Sequence, residues 1–216
     1  HELQGFLHMI GAIVAAQEVA LRALPPGSLP GAAEVAKAKL VGRAPLDPEL
    51  WKRDRSWRAA LASILEGVDR TALPGPAREA CEALEKASEG DLEGLADRFL
   101  QGAVASGEAG KAVLVAAALQ VAWTRMAALL DVADLGGSDG DQGTCPACGS
   151  PPVAGIVSPG GTKFGHRHLH CSLCATSWRY VRVRCVHCGS TEKISFRHLA
   201  GTTYLRAECC ESCQGY

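Results

Sequence analysis

Cys145-Pro-Ala-Cys-Gly-Ser150, Cys171-Ser-Leu-Cys174, Cys185-Val-His-Cys-Gly-Ser190 and Cys210-Glu-Ser-Cys213 are the stretches that decide how the last third of this chain folds. They hold eight of its ten cysteines. A C-x-x-C turn aims two sulfurs at one ion while amides of the same turn point back at the sulfurs, and two such turns complete a closed tetrahedron. The intervals between pairs indicate how they group. There are 22 residues between Cys148 and Cys171 and 21 between Cys188 and Cys210, but only 10 between Cys174 and Cys185. The spacing therefore predicts one metal on Cys145, Cys148, Cys171 and Cys174 and a second on Cys185, Cys188, Cys210 and Cys213. The first and third hexads match at an offset of 40 residues, which reads as an internal repeat. Gly149 and Gly189 close those two turns, where the backbone needs positive φ.

Sites with all four positions filled by protein thiolates are usually structural, because a catalytic metal keeps an open position. Four thiolates suit iron as well as zinc, so the cofactors predicted are two ions of either metal. Disulfides fit less well, since clustered C-x-x-C pairs in a chain of 216 residues favour metal. Reduced cysteines in such number point to the cytoplasm. Four thiolates around a divalent ion leave net negative charge, and Arg167, Arg179, Arg184 and Arg206 lie near enough in sequence to offset it. His166, His168 and His170 alternate and would share a strand face; His170 could replace a ligand, although four cysteines already serve each site. Cys209 is either a spare thiol or an alternative ligand.

Upstream, from Glu2 to about Asp134, the pattern is helical. Leu3, Phe6, Leu7, Ile10, Ile13 and Val14 recur at helix spacing, as do Leu50, Trp57, Leu61, Ile64 and Leu65, then Leu92, Leu95, Phe99 and the run Val113 to Leu130. Pro25-Pro26-Gly27 ends the first helix, Asp47-Pro48 reads as a helix start, and Pro74-Gly75-Pro76 precedes a helix containing Cys81. Five or six helices in a bundle are expected. The apolar run from Ala112 to Leu130 is alanine-rich and interrupted by Gln120, Thr124 and Arg125, so it reads as a core helix and not a membrane span.

Residues 135–144 have almost nothing to bury and read as a linker. Beyond them come short extended segments, Val153 to Val157, Phe164 to His170 and Ser177 to Arg184. The domains expected are a helical unit over 1–134, a first four-cysteine ribbon over 145–184 and a second over 185–216. Small ribbons have little apolar core, and structural zinc supplies ~10–16 kcal/mol in peptide systems, so the ions should decide whether this region folds. On an extended strand Trp178, Tyr180, Arg182 and Arg184 would share a face, either as a partner-binding stripe or with the aromatics packed between the ribbons under the arginines. The chain begins at His1 and is expected to be a piece of a longer protein, truncated at both ends.

The run Arg167-His-Leu-His-Cys-Ser-Leu-Cys174, with Ser177-Trp178 and Val181-Arg-Val-Arg-Cys-Val-His-Cys188, resembles the formate dehydrogenase accessory protein family of the FdhE type. So do Cys145-Pro-Ala-Cys-Gly-Ser-Pro-Pro152 and the segment from Ala207-Glu208 through Cys213 to Tyr216. The resemblance implies a helical domain followed by two tandem rubredoxin-like or zinc-ribbon modules, with metals on the same eight cysteines. It further implies a cytoplasmic maturation factor that is not an enzyme and associates with the catalytic subunit of a respiratory formate dehydrogenase. Two other readings are a nucleic-acid-binding zinc-ribbon protein and a rubredoxin-like redox protein. A formal net charge of −1, with Lys and Arg spread along the chain, argues against nucleic acid.

Overall fold

The computed structural model describes residues 2–25, 28–50, 53–135, 142–160, 165–198, 200–202 and 204–216. Six α-helices precede five strands among these residues: α1 Glu2–Ala23, α2 Ala32–Leu40, α3 Ser56–Gly67, α4 Gly75–Glu85, α5 Glu89–Leu100 and α6 Ala109–Ala127, then β1 Pro152–Val157, β2 Arg167–Cys171, β3 Ser177–Tyr180, β4 Ile194–His198 and β5 Arg206–Cys210. The expected helical bundle followed by two four-cysteine regions is thus the architecture of the chain.

Helix α6 is the axis of the bundle, with α1, α3, α4 and α5 packed against it. Ten of its residues are buried, from Ala112 to Met126, and its many alanines let neighbouring helices approach closely. Its burial is that of the core helix expected from the sequence. Trp57 and Trp123 are the largest fully buried side chains, and each satisfies its indole N–H, Trp57 on Glu93 Oε1 at 3.1 Å and Trp123 on the Leu46 carbonyl at 3.0 Å. Arg53 stacks over Trp57 at 5.7 Å and pairs with Glu93 and Asp97, which ties the start of α3 to α5. Cys81 is fully buried on α4, where burial raises its thiol pKa, so it behaves as a small core residue.

Local chemistry accounts for most helix ends. Ser88 caps α5 by accepting from Asp91 N–H, and Pro76 occupies the first turn of α4. Helix α1 stops at Ala23, before Pro25; Pro26 and Gly27 lie outside the described residues. Asp47-Pro48 does not start a helix. The Asp47 carboxylate accepts from Glu49 N–H at 3.0 Å and from Arg43 at 2.6 and 2.8 Å, which folds a turn; α3 begins later, at Ser56, whose N–H bonds Asp54. Leu50 consequently falls outside α3. Helix α1 also departs from expectation: Ile13 is buried, but Phe6, Leu7 and Val14 are exposed.

Strands β1, β2 and β3 form one antiparallel sheet in that order, and β4 pairs with β5 in a second. The extended segments are shorter than expected. Phe164 lies outside the described residues and β2 begins at Arg167, while β3 ends at Tyr180. Of the residues read as a linker, 136–141 lie outside the described residues. One apolar cluster runs from the helices into Cys145, Ala147, Cys148, Leu169, Cys171, Leu173, Cys174, Trp178 and Tyr180, so the first four-cysteine region and the bundle share a core.

Candidate metal centres

The four C-x-x-C turns are built alike. In each, the N–H of the first cysteine bonds a carbonyl five residues on: Cys145 to Ser150 at 2.9 Å, Cys171 to Thr176 at 2.9 Å, Cys185 to Ser190 at 2.8 Å and Cys210 to Gly215 at 2.9 Å. The residue after the second cysteine is left-handed in all four, with φ of 77° at Gly149, 57° at Ala175, 72° at Gly189 and 58° at Gln214. Glycine takes that conformation without strain; Ala175 and Gln214 take it at a cost of about 1–2 kcal/mol each. This turn points backbone N–H groups at sulfur, as where Leu173 and Cys174 each donate to Cys171 Sγ at 3.3 Å.

The tertiary fold brings the turns together in sequential pairs. Cys145, Cys148, Cys171 and Cys174 form one group and Cys185, Cys188, Cys210 and Cys213 another, the sulfurs of each group lying within 4.8 Å of one another. Sulfur–sulfur distances are 3.5 Å for Cys145–Cys174, 3.4 Å for Cys148–Cys171, and 3.7 Å for both Cys185–Cys213 and Cys188–Cys210. A tetrahedron with metal–sulfur bonds of ~2.3 Å has edges of about 3.8 Å, so both quartets fit such an ion after at most a small expansion. The eight cysteines would supply every ligand, leaving no position for a substrate. His170 is half-buried on β2 and belongs to neither quartet.

The four buried sulfurs crowd one another, and the crowding moves their pKa values in opposite directions. Hydrogen bonds from the Cys145 and Cys148 thiols hold Cys171 far below an ordinary thiol, and contacts with Cys145, Cys171 and Cys174 push Cys148 up. A cation at the centre removes this conflict by favouring the thiolate at all four corners.

The two centres differ in surroundings. All four cysteines of the first are buried, whereas Cys188 and Cys213 of the second are exposed. The first is held by the helical region through both of its turns, from the loop between α2 and α3 and from α6. Leu46 N–H bonds the Ala147 carbonyl at 2.8 Å, and Gln120 of α6 donates to the Ser172 carbonyl at 2.8 Å. Asp47 packs against the same turn, where a Cβ on Gly149 would lie 3.3 Å from its Oδ2.

The second centre is held mainly by the first. Arg167, 8% exposed, pairs with Glu208 of β5 at 2.9 Å, bonds the carbonyls of Arg182 and Arg184, and lies 5.4 Å over the Tyr180 ring. Tyr180 donates its hydroxyl to the Cys185 carbonyl at 3.0 Å. Gly143 presses against the Cys185 turn so closely that a Cβ there would lie 2.6 Å from the Val186 carbonyl oxygen.

Of the two arrangements expected for Trp178, Tyr180, Arg182 and Arg184, the structure has the aromatics packed inward, and the four do not form one face. Trp178 and Tyr180 are buried on the inner face of β3, with the Trp178 indole bonded to the Gln142 carbonyl at 2.9 Å. Arg167 draws in the carbonyls of residues 182 and 184 and takes that segment out of strand geometry, so the two arginines share no face with the aromatics. Arg182 is exposed, and Arg184 donates to the Gly189 carbonyl at 3.1 Å. Cys209 faces away from the quartet on β5, opposite Ser195. Sequence reading missed the docking residues Leu46, Gln120, Gly143 and Glu208; only Gln120, a polar interruption in an apolar helix, carried a visible signal.

The chain resembles known proteins in both sequence and fold. Residues 1–137 match the sequence family described as FdhE, N-terminal, and residues 144–182 match FdhE, central domain. The chain belongs to the FdhE family of formate dehydrogenase accessory proteins. It is 36% identical over 228 residues to the protein FdhE homolog of Pseudomonas aeruginosa, covering all of this chain and 71% of that one. Against protein FdhE of Escherichia coli it is 34% identical over 215 residues, covering 99% of this chain and 69% of that one. The crystal structure of the FdhE protein from Pseudomonas aeruginosa superposes with a TM-score of 0.82 at 32% identity, covering the whole chain and 75% of that one. The FdhE relationship therefore spans the helices and both centres alike.

Proposed function

We propose that this FdhE-family chain is a maturation factor that binds the catalytic subunit of a formate dehydrogenase in the cytoplasm and has no turnover of its own. The family match over helices and centres together carries this reading. The chemistry of the centres supports it, since quartets closed by protein thiolates stabilise a fold and leave no coordination position for substrate. In this reading Cys145, Cys148, Cys171 and Cys174 hold one ion and Cys185, Cys188, Cys210 and Cys213 the other. Each ion, iron or zinc, supplies a rigid cross-link between two turns. The helical residues 1–134 and the modules over 145–184 and 185–216 then present one continuous binding surface.

The test is affinity capture of the cofactor-free catalytic subunit by the purified chain, beside elemental analysis and a visible spectrum. A stable complex is expected, with about two metal ions per chain. Failure to capture any cofactor-free catalytic subunit overturns the reading. The exposure of Cys188 and Cys213 favours a second role for the outer centre alone: with iron there, it would exchange an electron at the surface, seen as thiolate-to-iron absorption that bleaches on reduction and returns on oxidation.

A further inference from the structure

A cavity of about 430 Å³ opens beside the inner centre. Val14, Gln17 and Leu21 of α1 form one wall, Gln120 and Thr124 of α6 the other, and the turn that begins at Cys171 closes the end. A water occupies about 30 Å³ of liquid, so the cavity has room for an ion carrying several waters. Cys171 is the inner cysteine that lines it and the least buried of the four, 5% exposed where Cys145, Cys148 and Cys174 are 1–2%. The other turn of the quartet is shut, because Leu46 and Asp47 are buried against it.

Helix α1 is the weakly held wall. Among its described residues only Ile13, Ala16 and Ala20 are buried, against ten residues of α6. Two of those three are alanines, which remove little apolar surface from water. Gly11 lies in mid-helix, where a Cβ would meet nothing within 4 Å, so packing does not require glycine and the helix bears its conformational cost. Polar ties add to the hold. Gln17 donates to the Ala117 carbonyl and to Gln120 Oε1, both at 2.9 Å, and Arg125 donates to the Leu21 carbonyl in the last turn of α1. Gln120 in turn donates to the Ser172 carbonyl at 2.8 Å, so its one amide links α1 to the Cys171 turn. Elements with few buried apolar contacts open locally at far less cost than global unfolding.

We infer that the cavity between α1 and α6 is the path by which the metal ion reaches the inner centre, with α1 as its gate. Opening of α1 leaves Cys171 as the first sulfur an incoming ion meets. An ion at the centre fixes the Cys171 turn; the Ser172 carbonyl then holds Gln120, and Gln120 holds Gln17, so loading closes α1 behind the ion. This rests on the reading that Cys145, Cys148, Cys171 and Cys174 hold a metal, and it names how that metal enters and leaves.

The test uses the full chain loaded with zinc. Excess chelator is added together with iodoacetamide, and mass spectrometry follows the labelling of each cysteine as the zinc leaves. Cys171 should be labelled ahead of Cys145, Cys148 and Cys174. Gly11→Ala stabilises α1 with a methyl that touches nothing, and should slow release from the inner quartet about three- to fivefold. Arg125→Met removes the tie to Leu21 and should speed it about five- to tenfold. Gly90→Ala, the same change in a helix that does not line the cavity, should leave it at the native rate, and the outer quartet should release natively in all three. Inner release at the native rate in Gly11→Ala, equal slowing in Gly90→Ala, or labelling of Cys145 or Cys148 ahead of Cys171 overturns the inference and leaves the metal reading standing. A native chain whose inner quartet takes up no zinc and no iron overturns both.

Discussion

Ala175 and Gly143 are the residues at which the cost of building these turns is most local. Ala175 holds the left-handed position that glycine fills in the two repeated hexads. Replacing it by glycine relieves the Cβ strain and is expected to stabilise the chain by about 0.5–1 kcal/mol, the relief being partly offset by a freer unfolded chain, as read by denaturant unfolding of the metal-loaded protein. Gly143 is the opposite case. A methyl there meets a backbone oxygen at 2.6 Å, so Gly143→Ala must push the Cys185 turn outward. A loss of about 1–3 kcal/mol is expected, with faster metal release from the outer centre while the inner one is unchanged. Equal release rates in variant and native protein would contradict this. The glycines after the second cysteine could be anticipated from sequence because the turn is local. Gly143 could not, because its neighbour lies more than forty residues away.

At the scale of elements, Arg167 on β2 joins the two ribbons. Its guanidinium lies between Gly155, where a Cβ would come within 3.1 Å of Nε, and the Tyr180 ring, and its far end pairs with Glu208 on β5. Arg167→Met keeps much of the packing but leaves Glu208 and two carbonyls without their donor. A loss of roughly 2–3 kcal/mol is expected. Chelator competition should show the outer metal leaving faster and the inner metal at its native rate. If both rates stay native, the ribbons are not coupled through this residue. Sequence reading assigned Arg167 only a charge-balancing part, and extended Ser177–Arg184 as one strand. Both errors have one cause: the strand stops at Tyr180 because a side chain from β2 binds the backbone of 182 and 184, and a single segment's periodicity does not contain its neighbour.

For the whole molecule, the decisive feature is the asymmetry between the centres. The inner one is buried within the core of the bundle; the outer one has two exposed cysteines and is anchored through the inner ribbon. Chelator should therefore remove metal in two phases, outer before inner. The helical circular dichroism should persist through the first phase and weaken in the second, when Cys145 and Cys148 loosen against Leu46 and α6. Simultaneous release, or helix loss in the first phase, would contradict this. Acid should act in the same order. The bound metal holds thiolates, so protons compete with it and affinity falls as pH falls. Cys188 and Cys213 meet that competition at the surface, whereas the four inner cysteines are buried. Metal occupancy of each centre followed against pH checks the order.

Cysteine spacing by itself determined the two quartets and their sequential pairing, because a C-x-x-C turn is a local structure and ligand geometry permits few alternatives. Apolar periodicity determined the helices, including the buried α6, because a helix needs only its own residues to display a face. Only the tertiary structure decided which centre is buried, why Trp178 and Tyr180 face inward, and why α1 and the β1 edge stay open. Those outcomes depend on contacts between residues far apart in the chain, such as Leu46 with Ala147, Gln120 with Ser172 and Arg167 with Glu208. Such contacts arise from packing already formed elements together, and no periodicity within one segment records them.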